Sequence, residues 1–566
     1  METVLENNNN KKVLMLGDEA IVRGALEAGV NFVSTYPGTP ASEIGNVFYR
    51  IAKEAGVYFE FSINEKVALE AGAGACFSGL KTMVAMKSFG LNVASDFLLP
   101  LVYSGVPNSL VLVVADDPGC SSSAQTEQDS RAYSFLAHIP TLEPSDVQEC
   151  KDFTKLAFEI SEQFKIPVML RVTTRVALQS GEAVLGEIAK DAKQGKFVRN
   201  PQQYITMPPR VLELRAELLA KIEEIKEFAE KSGVNKFSIF NFQFSNKKVG
   251  IIASGVSYLY AMEALQELEL DIPLLKLGFF YPLPEEKIKN FIADKEKVLI
   301  IEETEPLLEK EIAILAKSVN PELKILGKQS GELAEPNILP QAGELKPEIV
   351  LSAIAELAGK SLKIENCLPA DEAEKLKIRP ARSPQLCPGC PHFLTFQAVK
   401  KATEGADVVF GGEIGCYMLA GQYGLQDYIF CMGSGLGVGH GIKQANPEQK
   451  LISFIGDSSF FHSGIAPLLN SVYNKSNPLL IIVDNQITAM TGHQPNPGMG
   501  QTGMQEPSPE VKIEDIVKAL GVQHIKIVDP ANQEELIGAV KEFLDKKEVS
   551  VIISRRICAL LAKRKA

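Results

Sequence analysis

Residues 451–487 read LISFIGDSSFFHSGIAPLLNSVYNKSNPLLIIVDNQI. One apolar run ends at Gly456-Asp457-Ser458, a helical stretch follows, and a second apolar run, Pro478 to Val483, ends at Asp484-Asn485. Short continuous apolar runs bounded by turn residues read as buried strands of a parallel sheet. The stretch is therefore strand, helix, strand, with both polar groups at the carboxyl ends of strands, where open α/β sheets bind ligands. A hard divalent cation carrying a diphosphate takes oxygen ligands in an octahedron, some of them from the phosphates. Asp457 offers a carboxylate oxygen, Asn485 an amide oxygen and Ile487 a backbone carbonyl. Gly456-Asp457-Ser458 alone is more commonly a turn with a helix cap, and it is Asn485 after the next buried strand that makes the pattern fairly specific. Upstream, Met432-Gly433-Ser434-Gly435-Leu436-Gly437-Val438-Gly439 follows a strand and opens a helix, so the amides around Gly433 and Ser434 can approach a phosphate. Glycines at every second position do not match G-x-G-x-x-G, which weighs against a nicotinamide cofactor.

The same alternation of apolar strands and amphipathic helices extends through the chain. Residues 1–190 hold the runs VLML, FVST, SLVLVVADD and PVMLRVTT with helices such as EAIVRGALEAG between them, the pattern of a doubly wound parallel sheet. A Lys- and Glu-rich stretch at 191–245 reads as a helical connector, 246–360 as a smaller α/β domain, 361–380 as a charged linker, and 381–566 as a third α/β domain. The fold class is α/β. At 566 residues the chain holds about three or four domains of ordinary size. With 58 Lys+Arg against 70 Asp+Glu, its formal charge of -12 is opposite in sign to a general nucleic-acid binder. No apolar run is long enough to span a bilayer. The polar opening METVLENNNNKK lacks the apolar core of a secretory signal, so a cytoplasmic location is expected.

Thiamine diphosphate (TPP) chemistry enters as a resemblance. A Gly-Asp-Ser followed one strand later by Asn resembles the TPP and magnesium motif of TPP-dependent enzymes. Such enzymes place a glutamate against the aminopyrimidine, and the segment Phe61-Ser62-Ile63-Asn64-Glu65-Lys66 puts Glu65 at a strand-to-helix junction. Read from the residues alone, Glu65 is more commonly an acid favoured by a helix N-terminus. Further segments, Tyr36-Pro37-Gly38-Thr39-Pro40, Asn64-Glu65-Lys66-Val67-Ala68, Met86-Lys87 with Leu91-Asn92-Val93-Ala94-Ser95-Asp96, Ala115-Asp116-Asp117-Pro118-Gly119 and Glu127-Gln128-Asp129-Ser130-Arg131, together resemble the α subunit of indolepyruvate:ferredoxin oxidoreductases. The middle domain is similar through Tyr281-Pro282-Leu283-Pro284 and the last through Cys387-Pro388-Gly389-Cys390-Pro391-His392. The resemblance implies pyrimidine-binding and diphosphate-binding TPP domains, separated by a transketolase C-terminal-like domain. It implies that Thr39 meets the substrate carboxylate and that His392 lies against the cofactor.

Nine cysteines, an odd number, do not form a secreted disulfide framework. Cys76, Cys120, Cys150, Cys367 and Cys431 are scattered and read as small buried hydrophobes. Cys387 and Cys390 form a C-x2-C pair, with Cys416 and Cys558 downstream; four thiolates hold either one iron–sulfur cluster or one zinc. The resemblance implies a [4Fe-4S] cluster. Family α subunits usually continue into a ferredoxin-like domain with two further clusters. This sequence stops at Ala566, so electrons are expected to leave by another protein or directly to an acceptor.

The activity implied is oxidative decarboxylation of a 2-oxoacid such as indolepyruvate or phenylpyruvate, with coenzyme A taking the acyl group and ferredoxin or another acceptor the electrons. A smaller β subunit resembling a γ-type domain, in an α2β2 assembly, is implied as partner. Phe393, where the family often has a basic residue, and Gln179, where it often has His, bear on aryl specificity. A non-oxidative TPP decarboxylase and a silent TPP-fold scaffold are the competing readings; retention of Glu65, Asp457 and Asn485 together disfavours the scaffold.

Overall fold

The computed structural model describes residues 3–122, 125–189, 195–238, 244–245, 247–329, 338–360 and 385–565. The expected linker at 361–380, and Cys367 within it, lie outside them. The chain divides into two compact units, Met1–Leu376 and Lys377–Ala566.

The first unit is built on a seven-stranded sheet. Its spatial order is Phe279–Tyr281, Thr141–Leu142, Val168–Thr173, Leu110–Asp116, Thr82–Lys87, Phe32–Thr35 and Tyr58–Phe61. All neighbours pair in parallel except Phe279–Tyr281, which runs antiparallel to Thr141–Leu142. Every residue of Leu110–Asp116 is buried, as expected of a central strand covered on both faces. The strand order reverses beside Phe32–Thr35. The chain leaves that strand for Tyr58–Phe61 on one side, and leaves the adjacent Thr82–Lys87 for Leu110–Asp116 on the other.

Two strands depart from expectation. The VLML run forms Lys12–Leu16, but it pairs antiparallel with Ser180–Val184 in a separate two-stranded sheet. Val13 and Met15 are buried while Lys12 and Leu14 are exposed, a one-sided alternation that a fully covered central strand would not show. Phe279–Tyr281, from the expected middle domain, extends the edge of the first sheet.

The middle sheet runs Lys324–Leu326, Lys297–Ile301, Val249–Ser254, Leu274–Leu277 and Lys236–Ser238, parallel except for the last strand. Its core includes Ile252, Leu275, Ile288, Val298 and Ile312.

A buried ionic cluster ties the two sheets of this unit together. Arg131 pairs with Asp129 at 2.6 Å and Glu302 at 3.0 Å, and donates to the carbonyls of Glu303 and Glu305. Arg171 pairs with Asp116 at 2.8 Å and with Glu143. Burial, the largest influence, pushes both Glu302 and Glu303 up to about 7. A carboxyl whose folded pKa is raised contributes stability that is fully present below its ordinary pKa and is lost as pH rises through the folded value. Thermal stability is therefore expected to fall between about pH 4.5 and pH 7 on account of these groups. Glu303→Gln keeps an acceptor for the Leu345 amide and cannot ionise, so its calorimetric melting temperature should fall less steeply over that window than wild type. Identical slopes for the two proteins would contradict the assignment.

The second unit carries a six-stranded, all-parallel sheet. Its order is Tyr428–Ile429, Val408–Gly412, Lys450–Gly456, Leu479–Asp484, Ser550–Arg555 and His524–Val528. The order reverses between Val408–Gly412 and Lys450–Gly456: the chain leaves the former for Tyr428–Ile429 and the latter for Leu479–Asp484. Ligands of open α/β sheets bind in the crevice at such a reversal, outside the carboxyl ends of the strands.

Candidate functional site

In the second unit, three adjacent strands deliver polar side chains at their carboxyl ends: Glu413 after Val408–Gly412, Asp457 after Lys450–Gly456, and Asn485 after Leu479–Asp484. Asp457 opens a helical segment whose second stretch, Phe460–Gly464, is a π-type turn before Ile465–Tyr473, an irregularity frequent at functional sites. The Asp457 carboxylate accepts from the Ile487 amide at 3.1 Å and from Asn496 Nδ2 at 3.0 Å. Burial first, and repulsion from Asp484 second, push it up to about 7. A desolvated carboxylate that stays raised despite donors from Ser458, Ile487 and Asn496 suits a cation as a further partner.

His392 is buried, which pushes it down to about 4 and keeps it neutral. Its Nε2 therefore accepts from Asn485 Nδ2, at 3.2 Å. That bond sets the orientation of the Asn485 amide, whose Oδ1 accepts from the Ile487 amide at 3.1 Å. Asp457, Asn485, Ile487 and His392 thus lie together, with Ile487 reaching the group through its N–H.

Gly433 ends the turn before the helix Ser434–Ala445 with φ 75°, a conformation that favours glycine. A Cβ there would lie 2.4 Å from Ser463 Oγ and 2.8 Å from the Ser463 carbonyl, so the turn has no room for a side chain. Ser434 Oγ is turned back to the Cys431 carbonyl at 2.7 Å. Ser458 instead pairs with the Thr488 hydroxyl.

Glu413 had no role in the sequence reading. Its carboxyl is buried and accepts from the Gly456 amide at 3.0 Å, with the Gly433 amide and the Ser459 hydroxyl also facing it; burial pushes it up to about 8. Its position after a buried strand, like that of Asp457, was a usable signal. Asn496, in a Pro-rich loop, carried none.

Cys387 is exposed, Cys390 and Cys416 are half-buried, and Cys558 is buried. Burial pushes the Cys416 thiol up, and Cys390 and Cys558 add to the shift; Cys387 and Cys558 do the same at Cys390. The four therefore share one electrostatic neighbourhood. Among the described residues, however, no three His, Cys, Asp or Glu side chains are arranged to hold a metal ion. The Cys558 amide donates to the Asn485 carbonyl at 3.0 Å, linking the cysteine group to the Asp457 loop. Phe393 packs on Tyr423 with ring centroids 5.5 Å apart. Of the scattered cysteines, Cys76 and Cys150 are buried as expected, whereas Cys120, at the end of the short 3-10 helix Pro118–Cys120, is half-buried and Cys431, in a bend, is exposed.

In the first unit, Glu65 opens the helix Glu65–Phe77, with the Asn64 side chain accepting from the Val67 amide as its cap. Glu65 is 3% exposed. A Cβ on Gly90 would lie 2.5 Å from Glu65 Cγ and 2.8 Å from Oε1, so the carboxyl lies over a glycine at the start of the helix Ser88–Ser104. Thr39 follows the strand Phe32–Thr35, and its hydroxyl is 3.3 Å from that of Ser42.

Three families match parts of the chain. "Pyruvate flavodoxin/ferredoxin oxidoreductase, thiamine diP-bdg" matches residues 23–208, "Indolepyruvate oxidoreductase domain" 242–379, and "Thiamine pyrophosphate enzyme, C-terminal TPP binding domain" 413–554. Indolepyruvate oxidoreductase subunit IorA of Methanothermobacter marburgensis is 43% identical over 99% of this chain and 89% of its own length. The chain belongs to the IorA family. The IorA subunit of Pyrococcus horikoshii is 41% identical over 99% of this chain and 87% of its own length. Among solved structures, a 2-oxoglutarate:ferredoxin oxidoreductase from Magnetococcus marinus is similar with a TM-score of 0.46, at 17% identity over 61% of this chain and 65% of that one. This IorA-family chain is accordingly a subunit of a TPP-dependent 2-oxoacid oxidoreductase. No helix among its described residues is long and apolar enough to cross a membrane.

Proposed function

We propose that this chain is the α subunit of a cytoplasmic enzyme that oxidatively decarboxylates an aryl-substituted 2-oxoacid, such as indolepyruvate or phenylpyruvate. Carbon dioxide leaves, coenzyme A takes the acyl group, and two electrons pass singly through one [4Fe-4S] cluster to ferredoxin or another acceptor. A smaller β subunit completes an α2β2 assembly. The observation that carries the reading is Asp457, a desolvated carboxylate beside Asn485 at the strand-order reversal of the second unit, in a chain of the IorA family.

Asp457, the Asn485 amide oxygen and the Ile487 carbonyl would hold Mg2+, with the Gly433–Ser434 turn and Gly456-Asp457-Ser458 toward the diphosphate. Bound TPP supplies a nucleophilic carbon for the ketone of the substrate and an electron sink for loss of carbon dioxide. Glu65 would share a proton with the aminopyrimidine of bound TPP, and Gly90 leaves room for its carboxyl. His392, neutral through burial, keeps the Asn485 oxygen turned away from itself. Thr39 donates its hydroxyl to the substrate carboxylate. Cys387, Cys390, Cys416 and Cys558 are the four thiolates available to a cluster, and the influence of Cys390 and Cys558 on the Cys416 thiol supports a shared group.

The competing reading is non-oxidative decarboxylation on the same cofactor, with the four cysteines structural. Iron and acid-labile sulfide on anaerobically purified protein separate the two. About four irons per chain are expected for one cubane cluster. Iron near zero, in protein that still binds TPP and magnesium, would replace the oxidative reading with the decarboxylase.

A further inference from the structure

Lys87 is the last residue of the strand Thr82–Lys87 and immediately precedes the 17-residue helix Ser88–Ser104, whose N-terminus has no side-chain cap. That strand and Phe32–Thr35 are the adjacent pair beside which the strand order of the first unit reverses. The crevice beyond the carboxyl ends of such a pair is where an open α/β sheet takes its ligand. One wall is the Tyr36–Pro40 loop, which carries Thr39; the other begins with Lys87.

The contacts are close. A Cβ at Gly38 would lie 2.9 Å from Lys87 Cγ and 3.0 Å from Cδ, so the lysine stem is laid across the glycine that precedes Thr39. Three residues beyond Lys87, Gly90 makes room for the Glu65 carboxyl. Lys87, Thr39 and Glu65 therefore lie on segments that meet beyond the carboxyl ends of this strand pair.

The ammonium is poorly satisfied for its burial. Among the described residues its only hydrogen bond is to Gln125 Oε1, at 3.3 Å, and no carboxylate lies within ion-pair distance; the Phe89 ring centroid is 4.9 Å away. An ammonium has three donors, so two remain for a ligand. Burial pushes its pKa down, with Glu65 and Asp117 pushing back. Glu65 and Asp117 act on it only at longer range, so its burial is incompletely compensated, and an anion in direct contact would offset the remaining cost.

We infer that Lys87 is the cation that receives the carboxylate of the 2-oxoacid, beside the Thr39 hydroxyl, and so selects anionic substrates. The inference rests on the TPP-dependent reading above. Its experiment compares wild type, Lys87→Met and Lys87→Arg in the assembled enzyme loaded with TPP and magnesium. Methionine keeps the apolar stem on Gly38 and removes the charge; arginine restores the charge. The probes are two matched pairs of competitive ligands, 3-phenylpropanoate with 3-phenylpropanamide and 4-methylpentanoate with 4-methylpentanamide, covering aryl and branched side chains.

Wild type should bind the anion of at least one pair about tenfold or more tighter than its amide, as expected of a charge-assisted contact. Lys87→Met should lose that preference with amide affinity unchanged, and Lys87→Arg should recover most of it. TPP affinity, measured by calorimetry, should be the same in all three proteins. A wild-type enzyme indifferent to charge in both pairs, or a methionine variant that keeps the anion preference, overturns the inference. A purely structural lysine would weaken anion and amide alike, which also overturns it. Failure of wild type to bind TPP at all would instead defeat the reading on which the inference stands.

Discussion

Asp457→Ala should abolish magnesium-dependent binding of TPP. The carboxylate stands at the carboxyl end of a central strand, held by the Ile487 amide and by Asn496. Loss of an outer partner of a metal ligand typically costs roughly 10–100-fold in metal affinity, and loss of a charged ligand itself should exceed that. Asp457→Asn keeps an oxygen in place without the charge and should fall between alanine and wild type.

The asparagine variant also answers the objection that the site has merely unfolded. In the metal-free protein the Asp457 carboxyl is raised to about 7, chiefly by burial. Its contribution to stability is therefore present at low pH and lost as pH rises through that value. An amide suffers no such loss, so at pH 8 metal-free Asp457→Asn should melt no lower than metal-free wild type. Calorimetric titration with TPP, with and without Mg2+, reads the affinity directly, and wild-type affinity in Asp457→Ala would refute the metal role.

Glu65→Gln should lower turnover by on the order of a hundredfold or more while leaving TPP bound, the lower range expected for removal of a positioned acid–base group. Glutamine is nearly isosteric, so the side chain still fits over Gly90 and the Asn64 cap on the Val67 amide is untouched. What changes is the proton, which an amide cannot share with the pyrimidine. Turnover at saturating TPP, with the cofactor's dissociation constant measured alongside, separates chemistry from binding. Unchanged turnover would remove Glu65 from the mechanism.

Much of the candidate site was legible in the sequence because its pieces are local. Gly456-Asp457 and Asp484-Asn485 each terminate an apolar run, and a run of that length, rich in Ile, Leu and Val between turn residues, reads as a buried strand. Two such strands adjacent in a parallel sheet bring their carboxyl ends together. Glu65 was legible for a similar reason, lying at a strand-to-helix junction with Asn64 as cap. The C-x2-C pair announced itself by spacing alone.

Other features depend on which distant segments meet. The VLML run has the composition of a central strand, yet it pairs with Ser180–Val184 at the margin, because hydrophobic periodicity reports burial and not the identity of the partner. Phe279–Tyr281 joins the edge of the first sheet across a long stretch of chain for the same reason. Nothing local to Asn496 says that its amide reaches Asp457, and nothing local to His392 says that its neutral ring orients Asn485.

The sequence by itself determined the α/β class, the strand-end carboxylate and amide of the second unit, the helix-start glutamate of the first, and the four candidate thiolates. Each is set by residue type and short-range spacing, which fix local backbone geometry and burial. Only the tertiary structure decided the strand orders and their reversal points, the clustering of Glu413 with Gly456, and the placement of the Lys87 stem on Gly38. Those depend on contacts between residues far apart in the chain, where the free energy of packing selects among many pairings that the local pattern permits equally.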